Sequence, residues 1–164
     1  TDGLRSLVDL PVPDMVEKPL RYPGHYELMR VFRETGLFDL EPVDVGGTPV
    51  VPREFMAKLL FPKRTYEEGE GDLTVMRIRA EGVVGDRAVR WDWDLLDYYN
   101  PQTGIRSMSR TTGYTATVVA LRFLDGHTPP PGVVALEAMW EDSDAILAAL
   151  GERGVNYRFS ETAL

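Results

Sequence analysis

Cysteine is absent from all 164 residues, and histidine occurs only as His25 and His127. A disulfide framework, thiolate chemistry and a histidine-rich metal site are therefore excluded, and a reducing cytoplasm is the default compartment. No apolar run is long enough to span a bilayer, and no signal-peptide pattern opens the chain. Nucleotide fingerprints are missing too: there is no Gly-x-Gly-x-x-Gly and no Gly-Lys-Ser/Thr. Any redox chemistry must borrow its cofactor from elsewhere. Basic charge is in deficit, 18 Lys and Arg against 26 Asp and Glu, and the net charge of -8 opposes nucleic acid and anionic membranes. The remainder, 43% hydrophobic and 27% charged, fits one globular domain over 1–164 with a real core. The chain opens on Thr1-Asp2-Gly3 rather than Met, so it reads as a piece of something longer.

Two short polar clusters stand where helices are expected to begin, Leu20-Arg21-Tyr22-Pro23-Gly24-His25 and Ser109-Arg110-Thr111-Thr112-Gly113-Tyr114. A helix start offers unpaired N–H groups and the positive end of the dipole, so an Arg and hydroxyls beside it form a receptor for a carboxylate or phosphate. The same residues have plainer readings. Arg110, Thr111 and Thr112 fit simple capping, Arg21 a surface charge on an edge strand, and His25 a core histidine with its hydrogen bond satisfied. Gly3, Gly24 and Gly113 fit simple turns or a close approach of backbone to ligand. His127, in a Pro-rich loop, reads as surface.

Periodicity places the elements. After the apolar stretch Leu4 to Leu10, closed by Pro11 and Pro13, Met15 to Tyr22 is expected as a strand, at an edge because Pro19 cannot donate to a ladder. His25, Leu28, Met29 and Phe32 share a helical face that ends at Thr35-Gly36. Gly46-Gly47 joins two short strands with Val43 opposite Val50, and Pro52 starts a helix carrying Phe55, Met56, Leu59 and Leu60. Lys63 to Gly71 is a polar loop. Beyond Asn100 to Gly104, a short strand is expected to run into Arg110-Thr111-Thr112-Gly113, and then a helix to Leu124 that is apolar nearly all round from Tyr114 and so buried. Asp142-Ser143-Asp144 caps a last helix closed by Gly154, and Val155 to Phe159 is a final strand.

The segment from Leu73 to Tyr99 can be read in most detail. With Gly85-Asp86 as a two-residue turn, Val84 faces Arg87 and the register follows. One face then pairs Met76 with Leu95, Ile78 with Trp93 and Ala80 with Trp91. The other pairs Arg77 with Asp94, Arg79 with Asp92 and Glu81 with Arg90, and a slip of one residue would destroy both patterns. The apolar face is expected to lie under helices. The charged face reads as a solvated sheet surface, with a polar cavity or a subunit contact as alternatives.

In order and content, Thr1-Asp2-Gly3-Leu4-Arg5-Ser6-Leu7, Leu20-Arg21-Tyr22-Pro23-Gly24-His25 and Arg110-Thr111-Thr112-Gly113-Tyr114 resemble the C-terminal domain of the saccharopine dehydrogenase family. The branch most similar in look holds lysine ε-dehydrogenases and saccharopine dehydrogenase-like reductases. The chain departs from the usual pattern at Pro19, where Thr is common, and at Val51, where a capping Ser or Thr is expected. The resemblance implies an α+β domain, a mixed and largely antiparallel sheet covered by helices. It implies the substrate-binding and dimerisation half of an NAD(P)-dependent oxidoreductase acting on the CH–NH bond of an amino acid such as lysine or saccharopine. NAD or NADP would be held by a preceding Rossmann domain that is absent here, so this chain would bind neither and be inactive alone. Arg21, Tyr22, Gly24, Arg110, Thr111, Thr112 and Gly113 would bind the substrate, with His25 orienting it or exchanging a proton. Both clusters would converge on one cleft, and a homodimer is expected. A non-catalytic binding module, or a carboxynorspermidine dehydrogenase or homospermidine synthase-like branch, is the alternative.

Overall fold

In the computed structural model, which describes residues 5–8 and 10–164, the long hairpin has the register its side chains require. Strand β3 (Leu73–Val84) pairs antiparallel with β4 (Arg87–Tyr98), from Val84 opposite Arg87 through Ile78 opposite Trp93 to Leu73 opposite Tyr98. Gly85, at φ 60, supplies the left-handed residue of the turn. A third strand, β5 (Tyr157–Ala163), pairs with the far side of β4 and puts Phe159 against Trp93, ring centres 5.1 Å apart. The expected final strand thus starts later, because Val155 is buried in the core instead of joining the ladder.

Contacts divide the chain into two compact units, 1–17 with 69–164, and 18–68. In the first, helices α3 (Ser107–Leu124) and α4 (Ser143–Glu152) pack on β3 and β4. A 3-10 segment, Leu136–Asp142, precedes α4. The core is Leu95, Val118, Ile146, Leu150 and Val155, with Met76, Tyr114 and Tyr157 packed around it. Burial there pushes the Tyr157 phenol above its ordinary pKa. The sheet's apolar face is covered unevenly, contrary to expectation: Val89 and Leu95 are buried, Trp91 and Trp93 are half-buried, and Ile78 is 48% exposed. Nor is α3 buried. It packs one stripe inward, with Ser107 and Val118 fully buried, and leaves Leu124 at its end 82% exposed.

The second unit is built from local signals. Helix α1 (His25–Glu34) ends at Thr35, and Phe32 meets Phe38 edge to face beyond the turn. Strands β1 (Val43–Val45) and β2 (Thr48–Val50) pair Val43 with Val50 around Gly46-Gly47, whose φ values of 63 and 86 fit a type I′ turn. Asp44 accepts the Gly47 N–H at 3.1 Å. Helix α2 (Pro52–Leu60) begins at its proline and runs into a 3-10 turn at Phe61–Lys63.

The α+β class stands, with antiparallel pairs throughout the described residues and no mixed sheet. Met15 to Tyr22 is not a strand: Pro19 gives it no donor, and Val16 and Leu20, 75% and 66% exposed, find no face to pack on. The strand expected before Arg110 is reduced to one bridge, Asn100 with Ile105. The stretch Thr1-Asp2-Gly3-Leu4 lies outside the described residues, as does part of Leu4 to Leu10. No described helix is long and apolar enough to cross a membrane.

Leu95→Ala should lower unfolding free energy by about 2–5 kcal/mol in urea titration, whereas exposed Ile78→Ala should change it by about 0.5 kcal/mol. Equal losses at both sites would show that the sheet face is covered evenly.

Candidate functional site

The first polar cluster leads into α1. Gly24, at φ 85, is the N-cap and reverses the chain where a side chain would be strained. The His25 N–H is already bonded to the Tyr22 carbonyl at 3.2 Å, and the Leu28 N–H to the Gly24 carbonyl at 3.1 Å. The Arg21 guanidinium is exposed and donates to the Leu20 carbonyl at 2.7 Å. Tyr22 is 80% exposed. His25 is half-buried with its ring edge-on to Tyr26 at 5.5 Å, and Tyr26 in turn donates to the Pro19 carbonyl. A groove of about 370 Å³ beside it is lined by Tyr26, Met29, Arg30, Arg33 and Phe38.

The second cluster does not sit at a helix start. Helix α3 begins three residues before Arg110, and the Arg110 N–H is spent on the Arg106 carbonyl at 3.0 Å. At the true start, the Ser107 and Met108 N–H groups donate to the two carboxylate oxygens of Asp72, at 2.6 and 2.9 Å. A carboxylate from the foot of β3 thus fills the place an anionic ligand would take. The Ser107 hydroxyl, fully buried, bonds to the Thr74 hydroxyl at 2.8 Å and to the Asp97 carbonyl at 3.0 Å.

Arg110 reaches inward. Its guanidinium forms an ion pair with Asp97, whose side chain is 4% exposed, and leaves one oxygen of Asp97 and its own Nε without a partner. Thr111 bonds back to the Ser107 carbonyl at 3.0 Å, and Thr112 lies 3.9 Å from the Met108 sulfur. Apart from its neighbours and the backbone of α3 itself, no atom of the described residues lies within 4 Å of a Cβ added at Gly113, so no close approach by another described element explains it. Thr111, Thr112 and Thr115 form one end of a groove of about 590 Å³ whose apolar walls include Val119, Phe123 and Met139. Asp72, Asp97 and Thr115 were not singled out by sequence. Arg21, Tyr22, Gly24 and His25 belong to one unit and Arg110 to Gly113 to the other.

A dinucleotide does not fit the start of α3, since Asp72 would repel a pyrophosphate there. No step of hydride transfer is therefore assigned to this chain. His127 is half-exposed, as expected, with Nδ1 3.3 Å from Asp142. Asp142 stands at the N-cap of α4 without capping it by its side chain, and its carboxylate takes Arg122 instead.

On the outer sheet face, Asp94 accepts from Arg77 at 2.6 Å and lies 3.4 Å from Arg158, while Asp92 accepts from Arg79 at 2.8 Å. Hydrogen bonds from Arg77 and Arg79 hold the Asp94 and Asp92 carboxyls below the ordinary 3.8. Glu81 is opposite Arg90 as expected, yet Arg90 turns to Asp92 at 3.3 Å, the shorter-reaching partner on its own strand. Because the folded pKa values lie below the unfolded ones, this stabilisation is complete above about pH 4 and is lost as pH falls through the folded values. Arg77→Gln should flatten that acid limb when urea midpoints are measured between about pH 5 and 2. An unchanged limb would mean the Arg77–Asp94 pair does not contribute.

Residues 2–155 match the family model described as the saccharopine dehydrogenase C-terminal domain. The NADP(+), L-glutamate-forming saccharopine dehydrogenase of Schizosaccharomyces pombe is 33% identical over 102 residues, 61% of this chain and 22% of that protein. The carboxyaminopropylagmatine dehydrogenase of Synechocystis is 27% identical over 130 residues, 77% of this chain and 32% of that protein. The chain therefore spans between about a fifth and a third of the curated relatives it matches.

Proposed function

The chain belongs to the saccharopine dehydrogenase C-terminal domain family, and on that premise we propose that it is the substrate-binding and subunit-pairing part of a larger NAD(P)-dependent dehydrogenase. The substrate class is an amino acid or amino-acid conjugate oxidised at a CH–NH bond, with lysine and saccharopine as the leading compounds. The match over residues 2–155 carries this reading. In the whole enzyme a Rossmann domain elsewhere in the parent protein holds the nucleotide, and this part positions the substrate and neutralises its charge. Arg21 is the proposed carboxylate partner in residues 18–68, with Tyr22 and Gly24 beside it and His25 orienting the amine. Thr111 and Thr112 contribute hydroxyls to the α3 groove, with Gly113 next to them in sequence, and Arg110, paired with the buried Asp97, holds this turn in place for the substrate.

A second reading keeps the reaction class and changes the substrate. The similarity to carboxyaminopropylagmatine dehydrogenase extends over more of this chain than that to the saccharopine enzyme, which supports a carboxylated polyamine precursor. Parallel assays of the parent enzyme with saccharopine and with carboxyaminopropylagmatine separate the two.

In the parent enzyme, Arg21→Ala should cost about 1.5–3 kcal/mol in kcat/KM, the loss of one charge-assisted hydrogen bond, without moving the melting temperature. An unchanged kcat/KM would clear Arg21. Arg110→Ala should act differently, destabilising the fold by about 3–5 kcal/mol because it leaves Asp97 buried and unpaired.

The isolated chain should not quench or enhance NAD(P)H fluorescence on titration. Saturable binding would place a nucleotide site within these residues and overturn the division of labour.

A further inference from the structure

We propose that two copies of this chain join edge to edge through β3, antiparallel about a two-fold axis at Ala80, so that Arg79 of each copy lies opposite Glu81 of the other. The proposal deepens the pairing role put forward above and rests on the chain associating with itself.

Among the described residues β3 is an outer strand of its sheet, in the order β3-β4-β5, and the side that no described strand pairs runs for 12 residues. Every residue from Arg77 to Val84 is exposed. Such an edge is a template for another strand unless something guards it. The common guards are missing here: β3 holds no proline and pairs with β4 through its whole length without a bulge. Arg77 and Arg79 do not serve as guards, because Asp94 and Asp92 neutralise them across the sheet at 2.6 and 2.8 Å.

Backbone parity sets which residues can bond outward. A two-residue turn makes Val84 and Arg87 a hydrogen-bonded pair, so the alternate residues Arg77, Arg79, Glu81 and Val83 turn their N–H and C=O groups away from β4. The Ala88 carbonyl, opposite Val83, agrees with this, since it faces β5 and accepts the Leu164 N–H at 3.0 Å. A two-fold axis normal to the sheet keeps each face on its own side and pairs outward-bonding residues with one another. Centres at Ile78, Arg79 or Glu81 bring like charges face to face. A centre at Ala80 instead gives two Arg79–Glu81 pairs, both at hydrogen-bonded positions.

Glu81 supplies the independent sign that something is to be added. It stands opposite Arg90, but Arg90 is drawn to Asp92, and Glu81 has no ion pair among the described residues. On the other face the axis places Ala80 against its own copy and half-exposed Ile78 against Gly82 of the partner subunit. Both contacts are small enough for close approach. The edge of β5 offers less: it has seven residues, and a two-fold axis at Ser160 places Arg158 opposite Thr162 with no opposite charge.

Because the chain has no cysteine, Ala80→Cys creates its sole thiol on the proposed axis. There the two Cα atoms would be about 4.5 Å apart, within disulfide reach. Under mild oxidation Ala80→Cys should run largely as a covalent dimer on a non-reducing gel, while Ser160→Cys should stay single. Glu81→Arg should weaken the dimer about tenfold or more, read by light scattering across a dilution series. No cross-link at Ala80, or cross-linking at Ser160 in its place, would overturn the β3 seam. If the mass is still that of a dimer in that case, subunit pairing survives through another surface, whereas a monomeric mass removes both.

Discussion

A two-residue turn at Gly85-Asp86 decides the parity of every residue from Leu73 to Tyr98, and most of the described structure of the larger unit follows from that parity. It sends Val89, Leu95 and Asp97 to the side where α3 and α4 pack. The same alternation sends Asp92 and Asp94 to the opposite face, between arginines of β3 and β5 or of β4 itself. A slip by one position would bury the arginine ladder and expose Leu95, so the two faces reinforce one register. Parity also decides which amides of β3 point to solvent, and hence what the free edge can accept.

Helix α3 is fixed to that hairpin by charge and hydroxyl contacts as much as by apolar packing. Asp72 closes its first N–H groups, Ser107 links it to Thr74 and the Asp97 carbonyl, and Arg110 pairs with the Asp97 carboxylate. A buried ion pair of this kind adds little net stability, because desolvation offsets the attraction. Its consequence is positional: the helix cannot rotate without leaving a charge buried alone. Thr111, Thr112 and Thr115 are thereby held along one edge of the α3 groove.

Family membership and this geometry bear on different questions. The match identifies the chain as a saccharopine dehydrogenase C-terminal domain. The geometry separates two arginines that look equivalent in sequence. Arg21 is exposed and bonded to its neighbour's carbonyl, whereas Arg110 is committed to a buried carboxylate. An exposed guanidinium can take up a ligand without losing an internal partner, and a committed one cannot, so the two differ in how they can serve a substrate.

The sequence by itself determined the features whose causes are local. The β3–β4 register, the Gly46-Gly47 turn, the proline start of α2 and the span of α1 each depend on residues close in sequence, and each is where the sequence puts it. What it misjudged depended on distant groups. The start of α3 was read at the Arg110-Thr111-Thr112-Gly113 cluster, but the carboxylate that caps it comes from Asp72, 35 residues away from Ser107, where no capping pattern can be seen. Burial of α3 was inferred from apolar composition, yet exposure depends on which elements pack against each side of a helix, and Leu121, Phe123 and Leu124 are 40%, 40% and 82% exposed. Met15 to Tyr22 had apolar residues but no neighbouring strand to complete a ladder. Local chemistry chooses turns and registers; only tertiary structure decides which buried carboxylate meets which helix start, because that pairing exists only once the chain has folded back on itself.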